Sequence, residues 1–449
     1  MAVEGSKMEK TVAKALRIIG IDHEVDRRTS VAAIAATAVT ATAFAAYYYP
    51  EAFFGIRRGT LSSWAARALD RHATRRRKRR PVRVYMDGCF DLAHFGHANA
   101  LRLAKACGDE LVVGLVPDDE IRRCKGPPVL NEDERRAVVE SFRWVDEIIF
   151  DVPYDINPEF MQTLWRKHRI DYIVHGDDPC LLPDGTDAYA APKKEGRFMT
   201  IKRTEGVSTT DIVGRMLAAS QQTRRGFLSP RKSGGSDKGG NESSEKLSHF
   251  CTTSRRVAQF SGGGGKPIPP GARVVYVHGA FDMFHAGHVH LLEAAKELGD
   301  YVLVGVHEDE AVRSRRGASH PILNQQERSL GAMACRHADE VIMGVPEAVT
   351  RDLIATFNVA AVVAEEPCAP ALADTPADPN RVPREMGIFR EVSKGTARGA
   401  DLTTATIIQR VADDRAAYEE RNARKGKAEE NYYSLKRKGE VDKAEERGA

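Results

Sequence analysis

The stretch Val84-Tyr85-Met86-Asp87-Gly88-Cys89-Phe90-Asp91-Leu92-Ala93-His94-Phe95-Gly96-His97 decides the fold. A short apolar run ends in Gly-x-Phe-Asp and leads into His-x-Gly-His, the pattern of a strand turning into a helix. Histidines three apart at the start of a helix lie on one face, one turn from each other. The helix N-terminus beneath them presents free backbone N–H groups and a partial positive charge, which suits a phosphate. Gly96, lacking a side chain, lets a ligand approach the backbone closely.

The same pattern returns as Val275-Tyr276-Val277-His278-Gly279-Ala280-Phe281-Asp282-Met283-Phe284-His285-Ala286-Gly287-His288. Gly88, His94, His97, Gly108, Asp109 and Gly114 recur 191 positions later as Gly279, His285, His288, Gly299, Asp300 and Gly305. After a two-residue insertion Glu134-Arg135, Asp146-Glu147 and Val152-Pro153 return as Glu327-Arg328, Asp339-Glu340 and Val345-Pro346. Apolar runs at Glu110–Val116 and Tyr301–Val306 read as buried strands, and Ala98–Cys107 and Asp133–Phe142 as helices. Alternating strand and helix imply a parallel sheet covered on both faces, with ligands at the carboxyl ends of its strands. The chain of 449 residues holds two such units of roughly 130–150 residues plus extensions.

At these residues the chain closely resembles the CTP-dependent cytidylyltransferases of phospholipid synthesis, within the nucleotidyltransferases that carry His-x-Gly-His. Arg203-Thr204-Glu205-Gly206-Val207-Ser208-Thr209-Thr210 matches that family's second signature. The resemblance covers 82–218 and 272–412. It implies an α/β fold of two tandem Rossmann-like nucleotidyltransferase domains with parallel sheets. The tandem arrangement, His175-Gly176-Asp177-Asp178 and the run Thr210–Leu217 point to the branch that acts on phosphoethanolamine. The branch acting on phosphocholine is the alternative, but it has one catalytic domain followed by a membrane-binding helix.

The implied reaction joins CTP and phosphoethanolamine, with release of diphosphate. The acceptor phosphate attacks the α-phosphorus directly, so catalysis reduces to positioning and charge stabilisation. The resemblance assigns catalysis to His94, His97, Lys125 and Arg203. It assigns CTP binding to Gly88, Phe90, Asp91, Gly96, His175, Asp177, Gly206, Val207, Ser208, Thr209 and Thr210. Asp91 by itself reads equally as a brace for the histidine helix. Asp87, Tyr154 and Tyr189 stand where the family encloses the acceptor's cation. Mg²⁺ is expected on the triphosphate rather than in a protein cage, and no Cys/His spacing of a zinc site is present.

The second repeat offers a reduced nucleotide site of Phe281, His285, His288, Thr403 and Thr404. His278 replaces Asp87, Arg316 replaces Lys125 and Glu347 replaces Tyr154. The segment Ser393–Thr404 keeps a threonine pair but reads as lacking an in-register arginine. Arg for Lys is not a conservative exchange at a reactive phosphate, so repeat one is expected to catalyse and repeat two to support it.

Residues 219–271 are rich in Gly, Ser and charge and read as a flexible linker. The tail 413–449 is densely charged and reads as a solvated helix. Residues 1–80 form an extension in which Thr29–Pro50 carries no charge, long enough to span a bilayer, followed by the basic run Arg75–Arg80. This pattern implies an N-terminal hydrophobic anchor that leaves the catalytic domains on the cytosolic face of the ER or mitochondrial outer membrane. A cleaved transit peptide is the rival. The 7 cysteines show no paired pattern, as in a reducing compartment, and the net charge of +4 is concentrated in the basic patch. An RNA-associated nucleotide-binding module is the alternative of another class, but no basic aromatic surface spreads across the domains, and no nucleic-acid partner is expected. A homodimer is compatible with the sequence.

Overall fold

A computed structural model describes residues 80–178, 180, 182, 187–204, 206–228, 253–261, 267–365, 378–393, 399–427 and 434. The expected N-terminal anchor, the basic run except Arg80, much of 219–271 and most of the tail beyond 427 lie outside the described residues.

In the first repeat β1 (Arg83–Gly88) is followed by α1 (Phe95–Ala106), β2 (Glu110–Leu115), α2 (Asp118–Cys124), α3 (Glu132–Ser141) and β3 (Glu147–Ile149). Then come α4 (Pro158–Arg166), β4 (Tyr172–Gly176), α5 (Ala190–Lys194), β5 (Phe198–Ile201) and α6 (Thr209–Leu228). After α7 (Thr253–Phe260) the second repeat runs β6 (Val274–Gly279), α8 (Ala286–Glu297), β7 (Tyr301–His307), α9 (Asp309–Arg316), α10 (Gln325–Ala334) and β8 (Glu340–Val345). It closes with α11 (Arg351–Thr356), β9 (Val359–Glu365), α12 (Arg381–Glu385), β10 (Phe389–Val392) and α13 (Thr404–Asp413).

Each repeat builds a parallel five-stranded sheet, ordered β3-β2-β1-β4-β5 and β8-β7-β6-β9-β10. Helices cover both faces, so strands such as β2 (ELVVGL) are continuously apolar rather than alternating. The order reverses between β1 and β4, and a ligand crevice opens at such a switch point, beyond the strands' carboxyl ends. Asp87-Gly88 and His175-Gly176 flank it.

The two repeats share one continuous hydrophobic core. Their junction is nearly two-fold. The Arg143 N–H donates to the Ala334 carbonyl at 3.0 Å, and the Arg336 N–H to the Ser141 carbonyl at 2.7 Å. Each of these guanidinium groups also caps two carbonyls of the opposite repeat. Arg215 grips Glu327 at 2.8 and 3.1 Å, and Arg410 grips Glu134 at 2.7 and 2.8 Å. These glutamates also close the capping boxes of α10 and α3, so each pair fixes a helix start to the other repeat.

Two expectations change. Residues 219–271 are not uniformly linker-like: 219–228 complete α6, and α7 buries Phe260 edge-on against Trp144, with ring centroids 5.5 Å apart. The tail is not simply solvated either. Residues 415–427 are helical and bury Tyr418 against the first repeat. Among the described residues, no helix is long and apolar enough to cross a membrane.

Candidate active site

His94 is the N-cap of α1 in extended backbone. Its Nδ1 accepts the Gly96 N–H at 3.1 Å, and His97 Nδ1 accepts the His94 N–H at 3.4 Å. A backbone N–H can only donate, so both rings are acceptors at Nδ1 and carry their proton on Nε2. The rings lie 4.0 Å apart between centroids, and Phe90 meets His97 edge-on at 5.7 Å. Burial above all pushes His97 down to about 3, and it pushes His94 well below its ordinary value. The pair is thus two neutral N–H donors, paired by helix geometry.

Gly96 is required by the contact beneath this pair. A Cβ there would stand 2.8 Å from the His94 ring and 2.9 Å from Val207 Cγ1. Val207 and the rest of the second signature therefore sit against the histidine helix. Asn99 Nδ2 donates to Thr204 Oγ1 at 2.9 Å, and Thr209 Oγ1 to the Asp91 carbonyl at 3.1 Å, which ties the signature to α1 and the preceding turn. Ser208 caps α6, accepting the Asp211 N–H at 3.1 Å. The hydroxyls of Ser208 and Thr209 are thus already engaged, and the turn from Gly206, at φ 85°, through Thr210 offers its backbone amides.

Asp91 binds loop rather than ligand. Its carboxylate accepts the N–H groups of Val129 and Leu130 at 3.0–3.1 Å and the Arg421 guanidinium at 3.2 Å. Asp177 is similarly committed, holding the Arg203 N–H at 2.8 Å. The Arg203 guanidinium lies 3.7 Å from Asp178.

On the other side of the crevice, buried Asp87 accepts the Tyr189 O–H at 3.0 Å. Burial raises its carboxyl, against the pull of His175 and the Tyr189 hydrogen bond. The His175 ring lies against Tyr189, centroids 4.5 Å apart. Lys125 is exposed along its stem but turns its ammonium inward, 5.2 Å from the centre of the Tyr154 ring. The Cys89 sulfur, followed by the Tyr154 phenol, holds that ammonium well above its usual range, in spite of burial. Lys125, Tyr154, Tyr189 and Asp87 therefore meet where β1 and β4 end.

Sequence reasoning missed two supports. Arg135 is wholly buried and donates to the Cys89 carbonyl at 2.7 Å, the Val116 carbonyl at 2.9 Å and Asp118 at 2.7 Å, pinning the Gly-x-Phe-Asp turn to α2. Arg328 does the same for Ala280, His307 and Asp309. The repeated Glu-Arg pair was their visible signal. The helix 415–427 is the second miss.

The second repeat keeps the histidine pair, 3.8 Å apart, but His285 Nδ1 is buried without a hydrogen-bond partner. Where Asp87 stands in repeat one, His278 is locked between His307 at 3.0 Å and Asn380 at 2.9 Å. Glu347 pairs with Arg315, and Phe281 and Phe284 pack on His288. Thr404 Oγ1 donates to the Asp282 carbonyl at 3.1 Å, as Thr209 does to Asp91, while Thr403 caps α13. Ahead of the threonines the segments differ in length: Gly399, at φ 82°, stands five residues before Thr404, whereas Gly206, at φ 85°, stands three before Thr209, and the counterpart of Arg203 lies outside the described residues.

Two parallel Rossmann-like sheets, each with a His-x-Gly-His pair at a helix start, define a nucleotidyltransferase architecture. A family model described as cytidylyltransferase-like matches residues 85–215 and again 276–382. Ethanolamine-phosphate cytidylyltransferase of Arabidopsis thaliana is 50% identical over 379 residues, covering 80% of this chain and 87% of the relative. The enzymes of that name from Dictyostelium discoideum and Mus musculus are 42% and 39% identical, covering 79% and 77% of this chain and 97% and 89% of theirs. The chain belongs to the ethanolamine-phosphate cytidylyltransferase family.

Proposed function

We infer that this protein transfers the cytidylyl group of CTP to phosphoethanolamine, giving CDP-ethanolamine and diphosphate. The observation that carries the reading is the meeting of the His94–His97 pair, Lys125 and buried Asp87 around one crevice in a chain of this family. A phosphate oxygen of the acceptor bonds to the α-phosphorus as the bond to the β-phosphate bridging oxygen breaks, and diphosphate leaves. The two Nε2–H groups donate to the triphosphate as negative charge grows. Lys125 bridges the attacking phosphate and the α-phosphate, and Arg203 clamps a phosphate. The α6 N-terminus holds the β- and γ-phosphates. Mg²⁺ carried by the triphosphate would offset its charge. The residues fit a metal that would be carried by the triphosphate, because Asp91 and Asp177 are already committed to backbone N–H groups.

Asp87 and Tyr189 form a hydrogen-bonded acceptor for a primary ammonium, with Tyr154 as one aromatic wall. A trimethylated head group has no N–H to donate and relies on cation–π contact and on charge attraction without hydrogen bonds. With CTP and equal phosphoethanolamine and phosphocholine, product analysis is expected to find CDP-ethanolamine dominant. Dominant CDP-choline would overturn the assignment.

The uncharged stretch 29–50 and the arginines after it support a further element, attachment to the cytosolic face of the ER or mitochondrial outer membrane. Full-length protein should stay with membranes through a high-salt wash, and a chain lacking 1–80 should be soluble and active. Release by salt alone would mean peripheral, electrostatic attachment instead.

A further inference from the structure

The helix 415–427 leaves the second repeat and lies across the first repeat's site. Its contacts fall on the segment that carries Lys125 and on the start of α6. Arg424 donates to the Lys125 carbonyl at 2.7 Å, Arg421 to the Pro127 carbonyl at 2.7 Å, and the Tyr418 O–H to the Pro128 carbonyl at 3.2 Å. Asn422 Nδ2 donates to the Thr210 carbonyl at 3.3 Å. Arg421 also lies 3.2 Å from Asp91, whose carboxylate holds the Val129 and Leu130 N–H groups.

The loop needs this help for a covalent reason. Pro127 and Pro128 have no N–H to give, and Gly126, at φ 102°, adds conformational freedom. The N–H groups of Lys125 and Gly126 return to the Ile121 carbonyl, at 2.8 and 3.1 Å, so α2 secures the loop only at its start. The carbonyls of Lys125, Pro127 and Pro128 each find their donor on the tail helix. Lys425, one turn beyond Arg421 on the same face, brings its charge to the His94–His97 pair.

We propose that the helix 415–427 is a positioning element for catalysis in repeat one, in which Arg421, through Asp91 and the Pro127 carbonyl, holds the loop that aims Lys125. This rests on the reading of Lys125 as the cation that meets the reacting phosphates. Ile121 and Asp91 hold the two ends of the loop, the tail helix supplies the donors between them, and a misplacement of 1 Å can cost about 100-fold in rate.

The test uses the full chain with Arg421→Ala, Arg424→Ala, Lys125→Ala and the Arg421→Ala/Lys125→Ala double variant. Arg421→Ala is expected to lower kcat roughly 10- to 100-fold with the KM for CTP little changed. Arg421→Lys, which keeps the charge and N–H donors but not the planar guanidinium, should recover part of the loss. Hydrogen exchange should quicken over 122–130 while β1, β2 and β4 keep their protection. On top of Lys125→Ala, Arg421→Ala should add almost nothing, as for residues acting as one unit. Ordinary kcat in Arg421→Ala, kcat above wild type, or an additive loss in the double variant would each overturn the proposal. Should Arg421→Ala lose protection across the strands, Arg424→Ala decides: a smaller fall in kcat supports the proposal and none overturns it. Lys125→Ala with ordinary turnover would instead sink the assignment of Lys125 itself.

Discussion

Alanine at Lys125 is expected to lower kcat by at least about 100-fold, the scale of losing a charge partner made in the transition state. Its ammonium lies over Tyr154 and is kept charged by its surroundings. A compact ammonium on a four-carbon stem can follow the phosphate that moves from acceptor to product. A planar guanidinium cannot reproduce that reach, so Lys125→Arg should not rescue turnover. The second repeat carries that exchange at Arg316, where burial lowers the group and Asp282 opposes the fall. Steady-state rates at saturating CTP and phosphoethanolamine check this, and near-normal turnover in Lys125→Ala would refute the mechanism.

His94→Ala and His97→Ala are each expected to cost at least about 100-fold in kcat as well. Each ring has two tasks that alanine removes together. Its Nδ1 accepts a backbone N–H at the helix start, which leaves Nε2–H as the donor proposed for the phosphate. Because burial above all pushes His97 down to about 3, the rings donate as neutral imidazoles. The rate should therefore show no histidine limb between about pH 6 and 8, where an ordinary imidazole titrates. A limb near pH 6.5 that vanishes in His97→Ala would show that a charged ring takes part.

The sheets were legible because β1, β2 and their copies carry apolar runs with a glycine at or near the end, and because each is followed by a helix with a readable start. His94, His97 and the second signature were legible as a pattern, and Val207 against Gly96 brings the two together. Asp91 was only half readable: its carboxylate serves residues 38 and 39 positions onward, a pairing no local rule foretells. Arg135 recurred as a marker, but its task of binding the Cys89 carbonyl depends on the tertiary turn. The tail helix escaped because its charges looked solvated. Arg421 and Arg424 spend them on carbonyls some 300 residues earlier in the chain.

The division of labour between the repeats is tested most directly by single-turnover formation of CDP-ethanolamine at saturating CTP in two double variants. His94→Ala/His97→Ala should collapse the chemical step. His285→Ala/His288→Ala should leave it largely intact, because His278, locked between His307 and Asn380, offers no carboxylate to an ammonium, and Arg316 stands in place of the lysine. Any loss in that variant should appear in stability or CTP affinity, through the shared core. A comparable collapse of the chemical step in both would contradict the assignment of catalysis to the first repeat alone.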